Sequence, residues 1–317
     1  MMARPVFVAA LIAAVALVAA GPLLGDPVLI QYGINALLFA TLAEAWNIIS
    51  GFTGYPSFGN SVFYGLGTYG TAIAMVQLGW SFGVGLASGV VLAVISAILI
   101  GIPILRLRGP YFGIATLGVS AAVAALISNL DVAGANIGLV LPLTRDDGMF
   151  YELALLLLVA AVLTVAWITG SRFGMGLRAI REDEDAAAAL GINTMLYKIL
   201  ALVLSAVFTA LAGGIHAYWI TFVDPQSAFD PTLNVQMIIM AMFGGAGTVF
   251  GPVVGAVLLS TAYEVLASSI STAAALLFGL IIVLAVIFMP RGLADLARGI
   301  ARQGPGYLIE NIRRHRL

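Results

Sequence analysis

The residues of this chain able to do chemistry are few, and most sit where water is scarce. Three ionisable side chains fall inside apolar runs: Glu44, His216 and Glu264. Charge in hydrocarbon is costly, so such groups face a partner or a cavity. Glu44 stands three residues before Asn47, with Asn35 upstream in the same run. That spacing puts Glu44 and Asn47 on one helix face, which either lines a path or holds another helix by hydrogen bonds. His216 and Glu264 fall near the outer ends of their runs, where snorkelling or local hydrogen bonding accounts for them.

No catalytic set emerges from the rest. The two histidines, His216 and His315, are too far apart for a paired-histidine metal site, and the absence of cysteine excludes disulfides and thiolate ligands. A phosphate-binding loop needs Gly-Lys-Ser/Thr, but the single lysine, Lys198, follows Tyr197. Gly65-Leu66-Gly67-Thr68-Tyr69-Gly70 fits a dinucleotide fingerprint by letters alone. It lies inside an apolar run with no strand before it, and close helix packing explains its glycines better. The chain is therefore read as no enzyme, with no cofactor and no metal, and nothing in it suggests nucleic acid.

Two glycine-rich interruptions carry the remaining polar groups. Residues 51–60 hold Gly54, Ser57, Phe58, Gly59 and Asn60 and no charge, as if the stretch sat at membrane depth. Broken helices there can offer backbone N–H and C=O groups to a polar solute, or the stretch is a tight turn between helices. The same alternatives hold for 244–252, where Gly244 and Gly245 open the break and Gly247, Gly251 and Gly255 recur every four residues. With Glu44 and Asn47, these residues form the candidate translocation path.

The elements that must position them are membrane helices. Of the 317 residues 62% are hydrophobic and 9% charged, with a mean hydropathy of +1.08. A water-soluble chain is nearer a quarter charged, so lipid must be the solvent over most of the surface. About 20 apolar residues cross the hydrocarbon, and only helices can do so here. The expected spans are 6–24, 28–50, 62–79, 82–105, 110–130, 150–169, 199–223, 233–246, 251–268 and 273–289. The first of these is read as a retained span rather than a cleaved signal. The fold is thus an all-α polytopic bundle of about ten transmembrane helices, broken near 51–60 and 244–252. Nine is the rival count if 233–268 is one kinked span.

Charge placement favours ten. With a cytoplasmic N-terminus, ten spans put Arg4, Arg106, Arg108, Arg172, Arg178, Arg181, Lys198 and six C-terminal arginines inside, and only Arg145 outside. Both termini are then cytoplasmic. Residues 1–290 form one membrane domain with a cytoplasmic segment at 170–198, and 291–317 are a basic tail beside anionic lipid.

The cytoplasmic segment is the most informative. Acids at 182–185 ahead of Ala186-Ala187-Ala188-Ala189 favour a helix start, and Gly191 a stop. The result is a short helix whose alanine ridge either enters a groove on another protein or touches only headgroups.

Asp185-Ala186-Ala187, with Gly191 four residues on, resembles the coupling loop of bacterial ABC-importer permeases, with aspartate where glutamate is usual. The run Gly176-Leu177-Arg178-Ala179-Ile180-Arg181-Glu182 is similar to the permease subunits for branched-chain amino acids. So are Gly51 to Asn60, Arg106-Leu107-Arg108-Gly109-Pro110-Tyr111-Phe112, and Gly244 to Pro252, all in the family's order. The resemblance implies a permease subunit in a bacterial inner membrane. Arg178, Arg181, Glu182, Asp185, Ala186, Ala187 and Gly191 would couple it to two cytoplasmic ATPase subunits. A homologous permease, as a heterodimer, and an external solute-binding protein would complete the complex. The implied cargo is leucine, isoleucine or valine, with urea, short amides or sugars as the family's alternatives. An ion-coupled carrier working alone is the rival class, disfavoured by the few intramembrane charges.

Overall fold

The structure, a computed structural model, describes residues 26–144 and 146–269, together with 279, 280, 283, 292, 293 and 295. The expected spans 6–24 and most of 273–289, nearly all of the tail, and Arg145 lie outside the described residues.

Helix α1, Pro27–Trp46, begins where the Asp26 carboxylate accepts from the Val28 N–H at 2.9 Å, with Pro27 at the first position, where no donor is needed. It runs straight into a π turn, Asn47–Gly51. An irregular stretch leads to α2, Asn60–Val76. Then come α3, Phe82–Ile104, and α4, Pro110–Ser128, a two-residue strand β1, Leu139–Val140, and α5, Asp147–Gly170. Two short helices follow, α6, Arg172–Glu182, and α7, Glu184–Ala189. Helix α8, Thr194–Ile220, crosses back to β2, Phe222–Val223, and the single turn α9, Pro225–Ala228. Helix α10, Pro231–Gly244, and α11, Gly251–Ser269, end the described bundle.

Helix α1 with its π turn, α3, α4, α5, α8 and α11 are long and apolar enough to cross a membrane. At 17 and 14 residues, α2 and α10 are shorter than a full crossing, and each adjoins one of the two breaks. The expected spans match these helices to within a few residues, with two differences. The span placed at 199–223 starts earlier, at Thr194, and stops at Ile220, because β2 peels away to pair antiparallel with β1, Leu139 opposite Val223. The rival single span over 233–268 is two helices folded back on each other. A Cβ added at Gly244 would stand 3.0 Å from the Gly255 nitrogen. The chain reverses between them through Gly245 and Gly247, both at positive φ.

Helix α2 lies at the centre, packed on α3 and α8, while α1 packs on α5, α8 and α11. Helix α3 shows what solvent surrounds the bundle. Its buried residues are Gly85, Gly89, Ala93, Ala97 and Gly101, one every four positions. Its outer face presents Val91, Leu92, Ile95 and Leu99, the last 67% exposed. Small side chains inside and large aliphatic ones outside is the pattern of a helix in lipid, where close backbone approach drives association.

Candidate functional site

The segment 170–198 forms an elbow rather than one helix. The Ser171 hydroxyl caps α6, accepting from the Gly174 N–H at 3.1 Å. Helix α6 ends at Asp183, whose extended backbone breaks the chain and whose carboxylate then accepts from the N–H groups of Asp185 and Ala186 at 2.9 and 3.0 Å. That cap starts α7, a helix start at the expected acids but one residue inside them. Gly191 stops it at φ +86°, a conformation that side chains other than hydrogen resist.

The inner side of the elbow is tied to the bundle by a cluster of charges that sequence reasoning did not assemble. Lys198, at the start of α8, is 3% exposed. Its ammonium reaches Glu184 Oε1 at 2.6 Å, the Leu105 carbonyl at 2.8 Å and the Tyr55 hydroxyl at 3.1 Å. All three donors of the ammonium are thereby used. The Tyr55 hydroxyl donates in turn to Glu184 Oε2, and its ring sits edge-on to Phe112 at 5.2 Å. Beside this, Arg108 grips Asp185 with two bonds of 2.8 and 2.7 Å, the bidentate geometry that suits guanidinium to carboxylate. Four parts of the fold meet here: the elbow, the break after α1, the α3–α4 corner and the foot of α8.

Burial alone would raise the Glu184 carboxyl, but the bonds from Lys198 and Tyr55 outweigh it and hold the group below its ordinary value of 4.5. The Arg108 guanidinium holds Asp185 below 3.8. A depressed carboxylate contributes stability that is full above its unfolded pKa and is lost as pH falls through the folded value. The melting temperature of Glu184→Gln should therefore lie a few degrees below that of the unaltered protein at pH 7. The gap should close as pH falls below about 4.5, as a melting series in detergent would read; a gap that widens on acidification contradicts it.

The residues assigned to ATPase coupling fall on different faces. Asp185, Glu182 and Ala186 are exposed. Ala187 is 2% exposed and turned into the chain's own core, so the ridge left for a partner is Ala186, Ala188, Ala189 and Leu190. Arg178 donates from both terminal nitrogens to the Thr169 carbonyl at 3.3 Å. Arg181 donates to the Gly51 carbonyl at 2.6 Å. Both arginines brace the elbow through backbone carbonyls, although Arg181 itself is exposed.

The two helix breaks meet each other. Asn47 accepts from the Gly247 N–H at 2.6 Å and donates to the Thr248 carbonyl at 3.0 Å and to Glu44 at 3.2 Å. Asn47 thus bonds across to the 245–250 break, whereas Glu44 bonds Asn47 of its own helix, and its Oε1 has no partner among the described residues. Backbone groups freed by the π turn and by the 245–250 break are met by side chains: Arg181 on the Gly51 carbonyl, Asn47 on Gly247 and Thr248, and the Thr248 hydroxyl on the Gly245 carbonyl. Beyond the turn, Ser57 bonds Asn60 at 2.9 Å, Asn60 bonds Ser205 at 3.0 Å, and the Phe58 N–H donates to Thr116 at 3.1 Å. Glu44, Asn47, Ser57, Gly59, Asn60, Gly244 and Gly245 are all buried. Gly54 is exposed, with Arg181 against it. Within this one chain Ser57 and Gly59 border only a void of about 20 Å³, room for one water.

At the opposite end His216 Nδ1 lies 2.7 Å from the Tyr64 hydroxyl, and Asn35 donates to Glu264 at 3.1 Å. Each of these two ionisable groups bonds a polar side chain of another helix, so the expected local hydrogen bonding is replaced by contacts between helices. The signal that could have exposed the charge cluster was Lys198 itself, the one lysine beside thirteen arginines, in a sequence otherwise using arginine at the membrane edge.

Residues 28–287 match the family model described as the branched-chain amino acid transport system permease component. The chain is 27% identical to the high-affinity branched-chain amino acid transport system permease protein LivM of Escherichia coli, over 91% of this chain and 75% of that one. It is 28% identical to LivM of Salmonella typhimurium, over 83% and 69%. It is also 27% identical to the autoinducer 2 import system permease protein LsrC of Yersinia pseudotuberculosis, over 62% and 60%. No solved structure matches it. With the family model covering most of its length and its helices long and apolar enough to span a membrane, this chain is a multi-pass membrane protein that belongs to the branched-chain amino acid transport permease family.

Proposed function

We propose that the chain is one of two permease subunits of an ATP-driven importer in a bacterial inner membrane, carrying leucine, isoleucine or valine inward. Its elbow faces the cytoplasm, as the basic residues around it favour, and docks on an ATPase subunit. A homologous permease, a second ATPase subunit and an external binding protein complete the assembly. The observation that carries this reading is the two-faced elbow. Its outer face offers Ala186, Ala188, Ala189 and Leu190, the last 83% exposed. Its inner face is wired by Lys198–Glu184–Tyr55 and by Arg181 to the break after α1. A push on α7 would thus reach the break after α1 through partly buried polar bonds. Energy would enter as a partner's preference for one conformation over the other. The match to an autoinducer 2 permease favours a second reading, a permease of the same build for another small polar solute.

The test is reconstitution. The tagged chain, purified from its own membrane, should bring down an ATPase subunit and a second permease. That complex, with binding protein, should take up radiolabelled leucine only with ATP. Leu190→Asp should cut solute-stimulated ATP hydrolysis at least tenfold, by placing a charge on the apolar docking face. Uphill uptake by the chain alone, or full stimulation in Leu190→Asp, would overturn the reading. Ala187→Asp is a poorer probe, since it buries a carboxylate in the chain's own core.

A further inference from the structure

At the end of the bundle away from the elbow, α1, α2, α8 and α10 draw apart around a cavity of about 220 Å³. Its polar wall is the Tyr64–His216 pair, 2.7 Å apart, and the second imidazole nitrogen has no partner among the described residues. A second wall is apolar, with Leu38, Phe39 and Leu42 from α1 and Leu233 from α10. Asp230 also lines the cavity. One of its oxygens caps α10 through the Thr232 N–H at 2.8 Å, and its charge has no basic counterpart among the described residues. Gln236, six residues further along α10, brings an amide. No arginine or lysine is among the described residues that line the space.

These groups sort by chemistry. An uncompensated carboxylate attracts an ammonium. Neutral amide and imidazole donors can hold a carboxylate without trapping it as an arginine would. The leucine and phenylalanine wall accepts a short aliphatic chain. We infer that this cavity is a solute station on the translocation route, built for a small zwitterion with an aliphatic side chain. A neutral polyol would leave Asp230 without a counter-charge and would gain nothing from the apolar wall. Weak, neutral contacts suit a station that must release its occupant. The inference rests on the importer reading above and sharpens it, because it favours an α-amino acid over the sugar-like alternatives.

The experiment uses the assembled complex in proteoliposomes with saturating leucine-loaded binding protein. Asp230→Asn removes the charge and keeps the helix cap, since asparagine caps as well as aspartate. Gln236→Leu is the second variant, and gel filtration verifies that both complexes assemble. Leucine uptake should fall at least tenfold in Asp230→Asn and several-fold in Gln236→Leu. A diazirine analogue of leucine should photolabel peptides containing 35–42 or 230–236 in the unaltered complex, and lose that label in Asp230→Asn. Undiminished uptake and labelling in both variants, or labelling confined elsewhere, overturns the station while leaving the importer intact. A wild-type complex that takes up no leucine with ATP overturns both.

Discussion

Lys198→Met is expected to abolish ATP-driven uptake by the assembled complex while the chain still inserts. Methionine matches the length of the lysine stem but supplies none of its three donors. Glu184, the Tyr55 hydroxyl and the Leu105 carbonyl would lose their common partner, itself only 3% exposed. Removing one member of a buried pair costs about 3–5 kcal/mol, because the other charge is stranded. Glu184 retains 14% exposure, which places the cost toward the lower end. The elbow would then detach from the break after α1, and motion of α7 would no longer reach the bundle centre. A purely stabilising role is separable from a coupling role by the double variant Lys198→Met with Glu184→Gln. With no charge left stranded, its melting temperature should recover most of the loss, since neutral replacement of a buried ion pair is often well tolerated. Uptake should stay at least tenfold low, because the connection is still missing. Recovery of both would reduce the cluster to a stability device.

Much of the bundle was legible because its cause is local. Apolar run lengths placed the helices, Gly54 and Gly245 marked the interruptions, and Gly191 marked the end of α7. What escaped was the direction each residue faces once helices pack. The interruptions could be either solute-facing breaks or tight turns between helices, because backbone groups without a helical partner must go somewhere, and sequence does not say where. Here Asn47 finds Gly247 and Thr248, 200 residues away. In the sequence Arg181 falls in the coupling run and Lys198 counts as one more inside charge, because inner-face cations usually set topology. Their turn inward depends on carbonyls and a carboxylate brought close only by folding. The π turn at Asn47–Gly51 left no compositional trace. The spacing Gly85, Gly89, Ala93, Ala97, Gly101 was present in the letters, but a helix apolar on both faces shows no contrast in hydropathy; only side-chain size separates inside from outside.

That size contrast predicts the second large effect. Gly67→Ala should sharply lower the yield of folded protein and its melting temperature, although it adds one methyl group. In lipid there is no hydrophobic drive between helices, so packing contacts and hydrogen bonds at close range hold α2, α3 and α8 together. Their backbones touch. A Cβ at Gly67 would fall on the Ala210 backbone, one at Gly89 would stand 2.6 Å from the Gly67 carbonyl, and one at Gly70 would stand 2.5 Å from the Gly89 Cα. Side-chain to backbone bonds depend on that approach, with Thr68 to the Gly213 carbonyl at 3.0 Å and Ser88 to the Gly70 carbonyl at 3.1 Å. A backbone atom cannot rotate away as a side chain can, so the helices must separate. Overpacking of this kind costs about 1–3 kcal/mol and more where nothing can yield. Gly118→Ala is the matched control. Gly118 is also helical, but nothing lies within 4 Å of a Cβ built there. Alanine is the better helix former by about 0.5–1 kcal/mol, so this variant should melt at or slightly above the parent temperature. Equal melting temperatures for Gly67→Ala and Gly118→Ala would mean that the α2–α8 contact is looser than the structure shows.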